Sequence, residues 1–130
     1  MENYKREFIE ILNEAMVHFD PSIEDDVSII TVIADVDNNQ LIFGGLKLRD
    51  DLEEEGEYGS ESQVFYTAES KYLKDCMTIN KDYKASDLFK TMSEAIDANG
   101  DLQEKLDGIL LYGWCRASRK MIDVDNFWAS

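Results

Sequence analysis

The chain has 130 residues, 44% hydrophobic and 11% aromatic, with a single proline and 28 carboxylates against 13 lysines and arginines, for a net charge of −15. That much apolar material excludes a disordered acidic tail and fits one globular domain, residues 1–130, able to bury a core without staples. The longest apolar runs fall far short of the roughly 20 residues of a membrane span, and the charge-interrupted start MENYKREFIEIL is unlike a secretory leader, so a cytoplasmic protein is expected.

Tyr4, Phe8, Ile11, Leu12, Ala15, Met16 and Phe19 recur every three or four residues and predict an amphipathic helix over residues 2–19. Glu7, Glu10 and Glu14 take its outer face, and Pro21 stops it by pushing the preceding residue out of the helical region. His18, the only histidine, falls one turn after Glu14 at the helix C-terminus, where the dipole and the carboxylate both favour a cation; this is a structural role.

Two β-branched and aromatic runs flank the turn-forming DNN, so residues 27–36 and 41–48 are expected to pair as a hairpin, with Gly44 and Gly45 marking a bulge or a close backbone approach. SQVFYTA reads as a third strand across the acidic stretch that follows. SKYLKDCM has weak helical spacing. A clearer helix is expected at 87–98, capped by Ser86 or Asp87, striped by Leu88, Phe89, Met92, Ala95 and Ile96, and followed by Gly100. Asp101 and Glu104 have capping-box spacing for a short helix ending at Gly108, after which ILLYGWC reads as a buried strand; a continuous helix over 101–118 satisfies the periodicity as well. The alternating tail MIDVDNFWAS suggests an edge strand. The fold class is α+β: an antiparallel sheet of three to five strands, with the N-terminal amphipathic helix and one or two further helices packed on it.

The acidity is concentrated. Residues 20–61 hold thirteen carboxylates against only Lys47 and Arg49, a balance of −11, whereas residues 1–19 and 62–130 carry −2 each, from four carboxylates against two bases and from eleven against nine. Two clusters dominate, Glu24, Asp25 and Asp26 before the first strand and Asp50, Asp51, Glu53, Glu54, Glu55 and Glu57 after the second; antiparallel pairing brings both to one end of the sheet. Leu52 and Tyr58 set apolar contacts among the charges. A run of acids is most often a solvated loop. Two such runs at one end, with an aromatic beside them, suit a basic cleft of another protein, because complementary charge speeds encounter and desolvated aromatics hold the complex.

Other chemistry has little support. DVDNNQLI and DANGDLQEKLDG begin like calcium loops, but Gln40 and Leu102 stand where the sharp-turn glycine belongs, and Leu46 and Gly108 where the bidentate glutamate belongs. Cys76 and Cys115 have no knuckle or disulfide-framework spacing and are expected as buried free thiols. No phosphate-binding glycine motif or nucleophile elbow occurs, and one histidine leaves little for acid–base work. The net charge repels nucleic acid, and Arg116, Arg119 and Lys120 make only a short basic cluster. The sequence therefore predicts a non-enzymatic protein with no metal, cofactor or catalytic residue. The leading expectation is a small inhibitor that occupies the basic, nucleic-acid-handling cleft of a protein partner, as a toxin-immunity or phage anti-defence protein, through the nine acidic residues above and Tyr58. The alternative is an adaptor or structural subunit with a solvated acidic loop, bound through Trp114, Phe127 and Trp128.

Overall fold

The computed structural model describes residues 3–19, 27–49, 59–74, 85–117 and 120–129. Helix α1 (Asn3–His18) precedes strands β1 (Val27–Asp35), β2 (Gln40–Arg49) and β3 (Gly59–Glu69); helices α2 (Ala85–Asp97) and α3 (Gly100–Lys105) follow, then β4 (Leu110–Ala117) and β5 (Lys120–Ala129). The strands form one sheet in the order β3-β2-β1-β4-β5.

The expected all-antiparallel sheet is corrected at its centre, where β1 and β4 run parallel, Ile29 beside Leu110 and Asp35 beside Arg116. The reason lies in the connection. Successive strands joined by tight turns must run antiparallel, but the long connection between β3 and β4, which includes α2 and α3, gives the chain the length to cross a sheet face and re-enter beside β1 in the same direction. The other three pairings, β1 with β2, β2 with β3 and β4 with β5, are antiparallel.

Helices α1 and α2 touch each other and cover a single face, α1 over β3 and α2 over β4 and β5. Alternation along the strands sends Ile30, Val32 and Ala34 of β1, Leu41 and Phe43 of β2 and Leu111 and Cys115 of β4 into that layer, where all are buried. They meet Phe8, Ile11, Leu12, Ala15 and Met16 of α1 and Leu88, Phe89, Met92 and Ile96 of α2 in one core cluster. Both helix stripes are thus the ones read from the periodicity. Gly113 lets α2 approach β4: a Cβ there would lie 2.6–2.8 Å from three ring carbons of Phe89. This is the close backbone approach that a strand glycine signals.

Local capping fixes the helix junction. Asn99, not Asp101, is the N-cap of α3, its Oδ1 accepting from the Asp101 and Leu102 amides at 3.1 and 3.2 Å. Gln103 Nε2 reaches back to donate to the Asp97 carbonyl at 2.6 Å, satisfying the end of α2. Helix α2 starts at Ala85, so Ser86 and Asp87 fall inside its first turn instead of capping it; Asp87 suits the positive end of the dipole there. Lys105 Nζ donates to the Met16 carbonyl in the last turn of α1, a cation placed at the negative end of that helix. The helix over 101–118 is not formed: the chain leaves α3, turns at Gly108 (φ 79°) and continues as β4. Only Leu73 and Lys74 of SKYLKDCM are described as helical. Among the described residues no helix is long and apolar enough to cross a membrane.

Candidate functional site

Every residue expected to bind a partner, Glu24, Asp25, Asp26, Asp50, Asp51, Glu53, Glu54, Glu55, Glu57 and Tyr58, lies outside the described residues. The strand ends that flank them are described. Val27, which opens β1, pairs with Lys47 near the end of β2, and Arg49, which closes β2, pairs with Gly59, which opens β3. The chain therefore enters β1 at the same end of the sheet where it leaves β2 and enters β3.

The opposite end is tied by a polar network. The β1–β2 hairpin turns at residues 36–39, with Asn39 in the left-handed region at φ 56°, which asparagine tolerates. Its carbonyl accepts from the Ser70 amide at 2.8 Å and its Oδ1 from the Lys74 amide at 2.8 Å. Ser70 is buried, donates to Glu7 Oε1 at 2.5 Å and accepts from the Tyr72 and Leu73 amides. Glu7 also accepts from the Lys71 amide at 2.9 and 3.1 Å, fastening α1 to the end of β3. A cleft of about 480 Å³ lies here, lined by Glu7, Asn38, Asn39, Glu69, Ser70 and Lys71. The Ser70 hydroxyl donates to a carboxylate and accepts from two amides, the geometry of a turn cap and not of a nucleophile aimed at a substrate.

Next to it, Asp35 is 1% exposed; its Oδ2 accepts from Asn38 Nδ2 at 2.9 Å and lies 3.8 Å from Arg116 Nη1, while Oδ1 has no partner. The first calcium-like motif is thus a clasp on the hairpin turn, and in the second Asn99 spends its side-chain oxygen on capping α3. Among the described residues no group of three or more His, Cys, Asp or Glu is placed to hold a metal ion. His18 is exposed, 3.9 Å from Glu14, with its ring stacked on Tyr66 at a centroid distance of 4.9 Å.

Cys115 is a free thiol at 6% exposure; Cys76 lies outside the described residues. Burial pushes its pKa above the ordinary thiol value, and the charge of Asp37 adds to the rise. The thiol therefore stays protonated at neutral pH and is a poor nucleophile. Because the folded-state pKa is raised, its contribution to stability is complete below the unfolded thiol pKa and is lost as pH climbs towards the folded value. The alkaline side of a stability–pH curve should accordingly fall less steeply in Cys115→Ala than in the wild type. Identical alkaline slopes for the two proteins would contradict the buried thiol.

The face of the sheet away from α1 and α2 also carries apolar side chains. Ile42, Ile33 and Trp114 stand side by side across β2, β1 and β4, and Gly44, Thr31 and Tyr112 form the neighbouring row. Ile33, Ile42, Tyr112 and Trp114 are partly exposed, Leu110 is 39% exposed, and the Tyr112 and Trp114 rings touch at 4.6 Å. Thr31 and Gly44 are buried between their larger neighbours, with Thr31 Oγ1 donating to the Gly44 carbonyl. The chemistry available on this face is contact with apolar and aromatic groups. Sequence reading placed Trp114 near an interface but missed Ile33, Ile42 and Tyr112. The signal was present: VSIITVIAD is apolar at six of nine positions, with the adjacent pair Ile29 and Ile30 and the run Val32, Ile33 and Ala34 putting apolar side chains on both faces of a strand, and YGW sets two aromatics on one side of a strand.

Among the described residues the fold is α+β, a mixed five-stranded sheet with α1 and α2 packed on one side. Comparison with family models, curated proteins and solved structures finds no match.

Proposed function

We propose that this protein is a small acidic inhibitor that acts by binding, occupying a basic, nucleic-acid-handling or nuclease cleft of a partner protein as a toxin-immunity or phage anti-defence protein does. The reading rests on the segregation of charge. Residues 20–61 carry −11 of the total −15, and the strands that border the two acidic clusters begin and end at one end of the sheet. Concentrated like charge opposes folding by self-repulsion, and a complementary cationic surface relieves that repulsion in the complex. Carboxylates along such a surface raise the encounter rate with a basic protein and suppress approach to anionic ones.

Converting Asp50, Asp51, Glu53, Glu54 and Glu55 to their amides should slow association with the partner by about tenfold to a hundredfold at low salt, with little change in dissociation. The partner is obtained by affinity capture at low ionic strength and should be lost as added salt shortens the Debye length from about 10 Å at 0.1 M to about 3 Å at 1 M. Its nucleolytic or nucleic-acid-binding activity should fall on addition of this chain. Capture that ignores salt, association rates that ignore the five amides, or a captured enzyme that stays fully active would each reject the inhibitor reading.

A further inference from the structure

We propose that Asn99 and Gly100, at the start of α3, form a self-modification site: the Gly100 amide attacks the Asn99 side chain, the asparagine becomes aspartate or isoaspartate, and opening of the α3 cap sets the rate. The site is separate from the acidic surface of the inhibitor reading.

Asn99 is the one asparagine of the sequence that precedes a glycine, the neighbour that leaves the attacking nitrogen unhindered. Nothing in the fold demands glycine there. Gly100 lacks the positive φ that Gly108 has, and a Cβ added to it would meet no atom within 4 Å. It opens α3, where alanine would favour the helix more. Its amide is one of those a helix leaves without an internal acceptor, so closing a ring on it breaks no bond of the helix ladder. Both residues are exposed to water, the second reactant.

The Gly100 nitrogen gives its proton to solvent base and bonds to Asn99 Cγ; the bond from Cγ to Nδ2 breaks, and ammonia leaves with a proton taken in exchange, closing a five-membered imide. Water then opens the imide at Cγ to give aspartate, or at the backbone carbon to give isoaspartate, whose main chain is longer by one carbon. The folded cap holds this back. Asn99 Oδ1 is fastened to the Asp101 and Leu102 amides, and its ψ of 100° is extended backbone that carries the Gly100 nitrogen away from Cβ, whereas the ring closes only with that nitrogen against Cγ. Both cap bonds must release and ψ must turn first, so a local opening gates the reaction. The two products then diverge. Aspartate caps as well as asparagine does. Isoaspartate turns the Asn99 carbonyl, which accepts from the Gln103 amide at 3.1 Å, into a carboxylate off the main chain. That loosens the helix whose Lys105 donates to the Met16 carbonyl of α1 and whose C-cap, Leu106, is fully buried.

The test incubates the full chain in mildly alkaline buffer and follows conversion of each asparagine to the acid by peptide mapping, in water, in urea below the unfolding midpoint and in fully denaturing urea. Denatured, Asn99 should convert ahead of every other asparagine. Native, it should convert about tenfold or more slowly, and the rate should climb in urea before the global transition begins. Gly100→Ala should stay folded and should slow the denatured reaction markedly, and Asn99→Asp should melt no lower than wild type. The isoaspartate fraction of aged chain, separated from the aspartate fraction, should melt lower. A denatured chain in which another asparagine leads, or in which Gly100→Ala changes nothing, would overturn the site. A native rate equal to the denatured one, or one that rises only with global unfolding, would overturn the cap as gate. Products that melt alike would overturn the loosening of α3.

Discussion

Phe8→Ala should lower the free energy of unfolding by about 3–5 kcal/mol, read as a shift of the urea midpoint at unchanged slope. The ring is fully buried in the centre of α1 and belongs to the single core cluster shared by helices and sheet. Its loss removes the transfer energy of the side chain and leaves a cavity that neighbouring elements, held by strand pairing, fill only in part. Leu12→Ala, one turn on and also fully buried, should behave alike at about 2–5 kcal/mol. Val17→Ala on the same helix is the control: 74% exposed, it should stay within about 0.5 kcal/mol of wild type. For a domain whose total stability is about 5–15 kcal/mol, the first change alone consumes a large share. Partner binding by Phe8→Ala should weaken only as far as the protein unfolds. A variant with wild-type stability and no binding would instead put α1 in the interface.

Gly113→Ala should destabilise through the opposite fault, overfilling. The added Cβ would sit 2.6 Å from Phe89 Cε2, well inside any tolerated contact, and Phe89 is itself 1% exposed and part of the core cluster. Overpacking of this kind costs about 1–3 kcal/mol, and Gly113→Val should exceed alanine. Because one ring is responsible, the effect should be strongly coupled. In the Phe89→Leu background, Gly113→Ala should be much less harmful than in wild type, a departure from additivity of about 0.5–3 kcal/mol in a double-mutant cycle. Additive losses would show that the glycine is required for another reason.

The elements were legible where one signal dominated. The stripe of Phe8, Ile11, Leu12, Ala15 and Met16 located α1 within a residue at each end, because an amphipathic period is set by the helix and the core alone. The hairpin at Asp35–Gln40 was legible because Asn39 supplies the left-handed backbone that its turn needs. What could not be read was which strand lies beside which. Side-chain alternation in β1 is the same whether β4 runs parallel or antiparallel to it, and direction is decided by the crossover, not by β1 or β4. The cap of α3 was misplaced because Asn99 and Asp101 are both good caps, and only the position of the preceding helix end selects between them. Of the candidate site, the charge was legible by counting. The apolar face was not, since recognising Ile33, Ile42 and Tyr112 as its members needs the strand order that sequence left open.

The parallel seam between β1 and β4 also divides the chain by folding time. Strands β1, β2 and β3 form an up-and-down ribbon within residues 27–69, and β4 and β5 form a hairpin within residues 110–129, so each can assemble from contacts close in sequence. Pairing Ile29 with Leu110 closes a loop that includes β2, β3, α2 and α3, and among the strand pairings that entropic toll falls on this seam alone. The two ribbons should therefore be the early units, with their docking as the slow step. A chain cut between residues 74 and 85 would retain every described strand hairpin intact on one fragment or the other. Such fragments, one bringing α1 and three strands, the other α2, α3 and two, have the composition needed to reassemble by complementation across that seam.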